Sequence, residues 1–430
     1  MDFERTEKWK ASDLIKTIMD PLSIASTHLG FDLLNKPRKT DGNTLFSPVG
    51  ISTTIGMILM GSRGITASQL EEVFCSEEET ESSGIKAEEE EVEKTEEIQH
   101  LFQKLLTRIS KLTDDYGLNI TNRLFGEQTY FFLQKYLDYV EKYYHASLEP
   151  VDFMNAADES RKKINSWVES QTRESIKNLF PDGSLSSLTK LVLMNTIYFK
   201  GQWDREFKKE NTKEEAFWLN KSTSKSVLMM TLKHSFSFTF LEDLQAKIVG
   251  IPYKHSDLSL FVLLPNDIDG LEKIVDKVSP EQLVEWTSPG HMAKRNIHLH
   301  MPRLEVEDTF DLGEVLADMV MGNNLGECQA NCLEMTPRSS LRAQKILHRC
   351  RIVLSEGGTE AAAGTGIDFN VASAPGDENT HSDCPFRSFT RRDATSQPGA
   401  ENVHCDHPFL FFVRHKESKN ILFFGRFSSP

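Results

Sequence analysis

The sequence predicts an α+β fold. Helical periodicity dominates the first 180 or so residues, strand-like apolar runs dominate the remainder, and the chain closes on two apolar runs joined by a polar turn. Between Met19 and Leu34 the apolar positions Ile24, Leu29, Phe31, Leu33 and Leu34 predict a helix. A second helix is predicted over 46–61: Ser47 can cap it, Pro48 suits its first turn, and Ile51, Ile55, Ile58 and Leu59 share a face. From Glu77 to Glu97 eleven acids face two lysines, a net of −9, so most of the chain's −15 sits in one segment. With few apolar residues to bury, that segment is expected to be a mobile interhelical loop. Helical patterns return over about 98–112, 129–142 and 157–180. Leu191 to Phe199 is almost continuously apolar, as a strand buried on both faces would be. Strands are predicted at 236–241, 247–252, 258–264 and 297–301, and Phe409–Val413 with Ile421–Phe424 read as a hairpin.

The 430 residues carry ordinary globular composition, 39% hydrophobic and 26% charged, which is enough to bury a large core. Net acidity argues against a partner held by broad phosphate neutralisation, so no nucleic acid is expected. No apolar run reaches membrane-spanning length, and the first eighteen residues, a mixed-charge extension around Trp9, do not resemble a secretory leader. Six cysteines, at 75, 328, 332, 350, 384 and 405, are too sparse for a secreted disulfide framework and read as free thiols of a reducing compartment, so a cytoplasmic location is expected, with the nucleus or release without a signal peptide as alternatives. Cys328 and Cys332 stand four apart, but no second pair lies at zinc-finger spacing, so no metal is expected.

No local motif supports catalysis: there is no nucleophile elbow, no H-E-x-x-H helix and no phosphate loop, so the chain is not expected to be an enzyme or to hold a cofactor. The informative segment runs from Glu356 to Ser373. Thr359, Ala361, Ala363, Thr365, Ile367 and Phe369 fall on one parity, and Glu360, Ala362, Gly364, Gly366, Asp368 and Asn370 on the other. Strand side chains alternate with period two, so one face could be buried and the other wetted. The glycines and alanines weaken local structure, as in a flexible linker, yet a linker has no reason to sort charge by parity. A loop able to become a strand is the better reading. Downstream, Glu378–Phe386 is nearly repeated as Glu401–Phe409, an offset of 23 residues.

These stretches resemble a known family. The 356–373 segment is similar to the reactive-loop hinge of a serpin. Phe46–Ser52 resembles the helix under the serpin central sheet, Asn195–Trp203 its central strand, Val403–Val413 its C-terminal signature, and Ile421–Pro430 the ending of intracellular, ovalbumin-type clade B members. The resemblance covers about 19–430, taken as one domain in which 76–97 is an interhelical loop and 356–400 a reactive loop enlarged by the repeat.

It implies about nine helices, three β-sheets and an exposed reactive loop. It also implies a monomeric, soluble protease inhibitor: a target protease cleaves the loop, the loop inserts into the central sheet, and the acyl-enzyme is trapped. Hinge residues are then Glu356, Gly358, Thr359, Glu360, Ala361, Ala362 and Ala363. Counting sixteen on from Glu356 places the scissile bond at Ala372–Ser373, preceded by Val371. Small Ala372 suits an elastase-like pocket, while Val371 suits a papain-like cysteine protease, the favoured target. Ser47, Asn195 and His348 would hydrogen-bond together at the sheet centre, and Trp203 would mark the top where insertion begins. The alternative is a non-inhibitory binding protein on the same fold. Gly50, where the family usually has Ser, and Arg351, where an apolar residue is usual, depart from the pattern. If the second copy of the repeat enters the sheet, residues 374–400 become an excursion outside it, with Arg387, Arg391 and Arg392 as bait for trypsin-like enzymes.

Overall fold

The computed structural model describes residues 21–35, 42–74, 88–111, 116–311, 335–336, 342–370 and 401–430. Its helices are α1 (Pro21–Asn35), α2 (Pro48–Met60), α3 (Ile65–Glu72), α4 (Glu88–Ser110), α5 (Gln134–Tyr144), α6 (Phe153–Gln171), α7 (Leu271–Val275) and α8 (Pro280–Trp286). The strands are β1 (Thr44–Phe46), β2 (Asn119–Glu127), β3 (Ser147–Val151), β4 (Thr189–Gln202), β5 (Lys213–Asn220), β6 (Thr223–Leu241), β7 (Ala246–Pro252), β8 (Leu258–Pro265), β9 (Ala293–Pro302), β10 (Leu304–Asp311), β11 (Arg342–Ser355), β12 (Gly358–Asn370), β13 (Glu401–His404), β14 (Phe409–His415) and β15 (Ile421–Phe427).

Two sheets result. One has the order β10-β11-β12-β4-β2-β3; the other runs β1-β15-β14-β8-β7-β6-β9-β13, with β5 on β6. The long β6 joins two halves of the larger sheet, because its Ser237–Leu241 end pairs with β7 while Met229–Phe238 pairs with β9. The expected third sheet is therefore continuous with the second.

Helix α2 packs against β4, β12 and β15, and all thirteen of its residues are buried. Ser47 caps it as predicted, its Oγ accepting from the Gly50 N–H at 3.2 Å. Strand β4 is buried on both faces, as its continuous apolar run implied. Leu191, Leu193 and Ile197 join the main core, while Val192, Met194 and Tyr198 join a second cluster beneath α6. The hairpin β14–β15 also forms, with Phe409 opposite Phe427.

Two helix boundaries differ from expectation. Helix α4 begins at Glu88, well inside the segment expected to be a loop. Glutamate is a good helix former, and four of them at the start, Glu88–Glu91, favour the positive end of the helix dipole. Helix α6 stops at Gln171 rather than near 180. Arg173 and Glu174 turn to left-handed backbone, and Ile176, Leu179 and Phe180 then return to the core without helix, which prolongs the apolar spacing. Residues 1–18 and the stretch 75–87 lie outside the described residues.

Candidate functional site

The expected reactive loop is where structure and sequence meet. Residues 358–370 are not an exposed loop: they form β12, inserted antiparallel between β11 and β4. The register is continuous, with Thr359 opposite Gly201 and Leu354, Ala362 opposite Tyr198 and Arg351, and Thr365 opposite Asn195 and His348. Both edges of the strand are thus satisfied by ladder hydrogen bonds.

Over Thr359–Thr365 the predicted division into a buried and a wetted face holds in part. Thr359, Ala361, Ala363 and Thr365 are buried, but so is Ala362, at 0% exposure. Helix α6 and the segment after it cover the second face: a methyl placed on Gly364 would sit 3.4 Å from Leu179 and 3.5 Å from Val168. Glu360 reaches out, accepting from the Tyr198 hydroxyl at 2.9 Å and lying 3.4 Å from Lys200 Nζ. That hydrogen bond sits beside burial as a cause of the Tyr198 phenol being pushed up to about 12. Small residues are required along β12 because its two faces press against finished layers on both sides.

At the upper end Glu356 and Gly357 turn the chain from β11 into β12. Gly358 sits so close to β4 that a Cβ there would lie 2.0 Å from the Gly201 carbonyl, so no larger residue fits. The carboxylate of Glu356, almost fully buried, accepts from Arg303 Nε at 2.9 Å and Nη2 at 2.5 Å, and from the Thr212 hydroxyl at 2.7 Å. Burial raises its pKa, but these donors more than offset that and hold the group below the usual carboxylate range. Trp203, fully buried, stacks on Tyr253 at 4.7 Å and donates from Nε1 to the Ser355 carbonyl at 2.9 Å. Tyr253 in turn donates its hydroxyl to Thr359 Oγ1 at 2.7 Å, and burial pushes that phenol far up.

At the centre His348 reads out whether β12 is present. Its Nε2 accepts from the Ser47 backbone N–H at 3.0 Å, so the neutral ring carries its proton on Nδ1, which donates to Thr365 Oγ1 at 2.6 Å. The expected Ser47–Asn195–His348 cluster is divided, because Thr365 of the inserted strand stands in register between Asn195 and His348. Asn195 instead donates from Nδ2 to Asn122 Oδ1 at 2.8 Å, leaving its own Oδ1 buried without a hydrogen-bond partner. Gly50 lies against that oxygen: a Cβ there would approach it to 2.9 Å. The second departure, Arg351, is not a buried charge. It reaches diagonally across the strands to Glu305, at 2.6 Å and 2.9 Å, on a partly exposed face.

Burial pushes His348 down to about 3. Its folded value lies below the unfolded value of about 6.5, so between the two the unfolded chain binds the extra proton and stability rises with pH. The contribution is complete above about pH 6.5 and is lost on acidification, at up to about 1.4 kcal/mol per pH unit. Urea midpoints from pH 4 to 7 should therefore rise more steeply for the natural chain than for His348→Gln; equal slopes would contradict the burial of a neutral imidazole.

Among the predicted residues, Glu356, Gly358, Thr359, Glu360 and Ala361–Ala363 are brought together with Ser47, Asn195, His348 and Trp203 along one strand. Val371, Ala372 and Ser373 lie outside the described residues. Sequence reasoning missed Tyr253, Arg303, Thr212, Asn122 and the role of Thr365, which come from separate elements with no shared spacing. Downstream the second copy of the repeat enters the sheet: Glu401–His404 forms β13, parallel to β9. No helix among the described residues is long and apolar enough to cross a membrane.

Comparison with known proteins agrees with this geometry. The chain matches the family described as Serpin (serine protease inhibitor) over residues 24–430. It is 69% identical over 414 residues to Serpin B13 of Homo sapiens, covering 96% of this chain and 100% of that protein. It is 37% identical over 418 residues to the leukocyte elastase inhibitor of Equus caballus, covering 96% of this chain and 100% of that one. Among solved structures it is similar to a cleaved, loop-inserted ovalbumin mutant, with a TM-score of 0.78 and 28% identity over 95% of this chain and 100% of the other. Uncleaved ovalbumin follows at a TM-score of 0.75 and 28% identity, over 95% of this chain and 100% of that one.

Proposed function

Because the chain belongs to the serpin family, we propose that it is a protease inhibitor that traps its target by inserting the severed loop as β12. The observation that carries this is the fit of residues 358–370 between β4 and β11: a two-sided ladder throughout, small buried side chains on both faces from Ala361 to Thr365, and prepared partners at the top and centre. A segment that merely tethers two parts of a fold has no need of such partners. Insertion supplies the driving force, since two strand edges gain a neighbour and apolar surface is buried at the same moment.

The bait bond is Ala372–Ser373 and the favoured targets are papain-like cysteine proteases, which read Val371, ahead of elastase-like serine proteases, which read Ala372. Trypsin-like enzymes cutting at Arg387, Arg391 or Arg392 are turned over instead. Arg392 lies twenty residues beyond Ala372, so up to about 66 Å of slack chain lets the strand finish inserting while the enzyme is still free to deacylate. Mixing the purified chain with cathepsin L, cathepsin K and elastase is expected to give loss of protease activity at a fixed molar ratio for one of them. Continuous turnover of the loop by all three, with no lasting loss of activity, would refute inhibition.

A second reading is favoured by one observation: β12 is inserted while the chain is uncut and β13 is still paired with β9. In that state the hinge is already spent in the sheet, and the protein is a non-inhibitory member of its fold.

A further inference from the structure

Three side chains outside the inserted strand converge on the face where β13 joins the larger sheet. His300 of β9 and His404 of β13 are direct cross-strand neighbours, with ring centroids 4.5 Å apart. Glu215 of β5 reaches the same point, its Oε2 lying 2.9 Å from His404 Nε2. One ligating atom from each of the three falls within 4.8 Å of the others. His404 presents Nε2 to Glu215 while Nδ1 faces Asp406 Oδ2 at 3.8 Å. That separation is too long for a hydrogen bond, so Asp406 adds negative charge beside the ring and no direct contact. His300 has a ring nitrogen, Nδ1, that is buried without a hydrogen-bond partner, and its Nε2 lies 3.4 Å from His298 Nδ1. An unsatisfied buried imidazole nitrogen beside a second imidazole and a carboxylate is a donor set with no acceptor to serve.

We propose that Glu215, His300 and His404 bind a divalent transition-metal ion of the zinc class, with a fourth position open to water. Two imidazoles and one carboxylate are the ligand types such ions take, and tetrahedral binding needs ligand atoms roughly 3.3 Å apart, from metal–ligand distances of about 2.0–2.2 Å. The separations here bracket that value, so side-chain rotation suffices and the backbone need not move. The ion would fasten β13 to β9 and β5. Strand β13 is four residues long and lies at the edge of its sheet, so it has few ladder hydrogen bonds of its own.

The test uses the full chain stripped with a chelator. Added cobalt(II) is expected to give the visible bands of a tetrahedral site at one ion per chain, discharged by zinc(II), and zinc is expected to raise the thermal midpoint. Glu215→Gln and His300→Ala should each weaken binding at least about tenfold, whereas His255→Ala, on the β7–β8 turn, should not. Should the variants fold poorly, the natural chain still decides. Zinc should protect His300 and His404 from diethyl pyrocarbonate, read by mass spectrometry. Absence of saturable binding, unchanged affinity in Glu215→Gln/His300→Ala, or modification of both histidines in saturating zinc would each overturn the site. None of these readouts involves a protease, so their failure leaves the inhibitory reading intact.

Discussion

Thr359→Arg is expected to convert the protein from an inhibitor into a substrate. Thr359 enters the sheet directly after the Gly358 turn, is 2% exposed, and takes its hydrogen bond from Tyr253 beneath the Trp203 stack. An arginine there must bury its guanidinium in that aromatic layer, and the carboxylate of Glu356 is already engaged by Arg303. A buried charge without a partner costs several kcal/mol, and each 1.4 kcal/mol slows a step about tenfold. Insertion at the hinge should therefore slow by at least about a hundredfold, while hydrolysis of the acyl-enzyme is untouched and wins. The measurable result is cleaved chain in place of a covalent complex on denaturing gels, and many molecules consumed per protease molecule inactivated. Glu360→Arg is the parity control. Glu360 points to the partly wetted face beside Lys200, so its replacement should be far milder. Equal damage from the two substitutions would show that burial of alternate residues is not what governs insertion.

That parity was legible in the sequence because strand geometry forces it: a strand has two faces and residues alternate between them. What was not legible is that the second face is covered as well, by Val168 of α6 and by Ile176 and Leu179, which a chain reversal after α6 brings there and no spacing announces. Strand β4 could be read because burial on both faces leaves an unbroken apolar run. Strands β10 and β11 could not, because their exposed positions carry cross-strand ion pairs, Arg349 with Glu307 and Arg351 with Glu305, that look like ordinary surface charge until register pairs them. The hinge, the cap at Ser47 and Trp203 are local signals. Tyr253, Arg303 and Thr212 are not, being joined to Glu356 and Thr359 only by the folded sheet. The acidic run misled for a different reason: composition marked it as unable to bury a core, which is true, but a helix start needs only good helix formers and favourable charge.

Removing residues 378–400, one copy of the repeat, is expected to separate the two functional readings. Strand β12 runs about 40 Å from the Gly358 end, beside Arg303 and Glu356, down to Asn370. Strand β13 lies back on the upper side, since His404 is opposite His300, three residues before Arg303. An uncut chain can hold both strands in place only if residues 371–400 span that return. Thirty residues reach up to about 100 Å, whereas the seven left after deletion reach about 23 Å. The full chain can thus insert its loop without being cut and without releasing β13; the shortened chain cannot. After gentle annealing the full chain should melt at nearly the same temperature before and after cleavage at 372–373, because β12 is already in the sheet. The shortened chain should melt lower when intact and rise by on the order of 10 °C once cut, as expected when several kcal/mol of strand pairing and burial are gained in one step. It should also inhibit more efficiently, having no uncut route to the inserted state. Identical melting behaviour in the two chains would mean that the tether does not decide when the loop inserts, and the extra segment would then need another explanation.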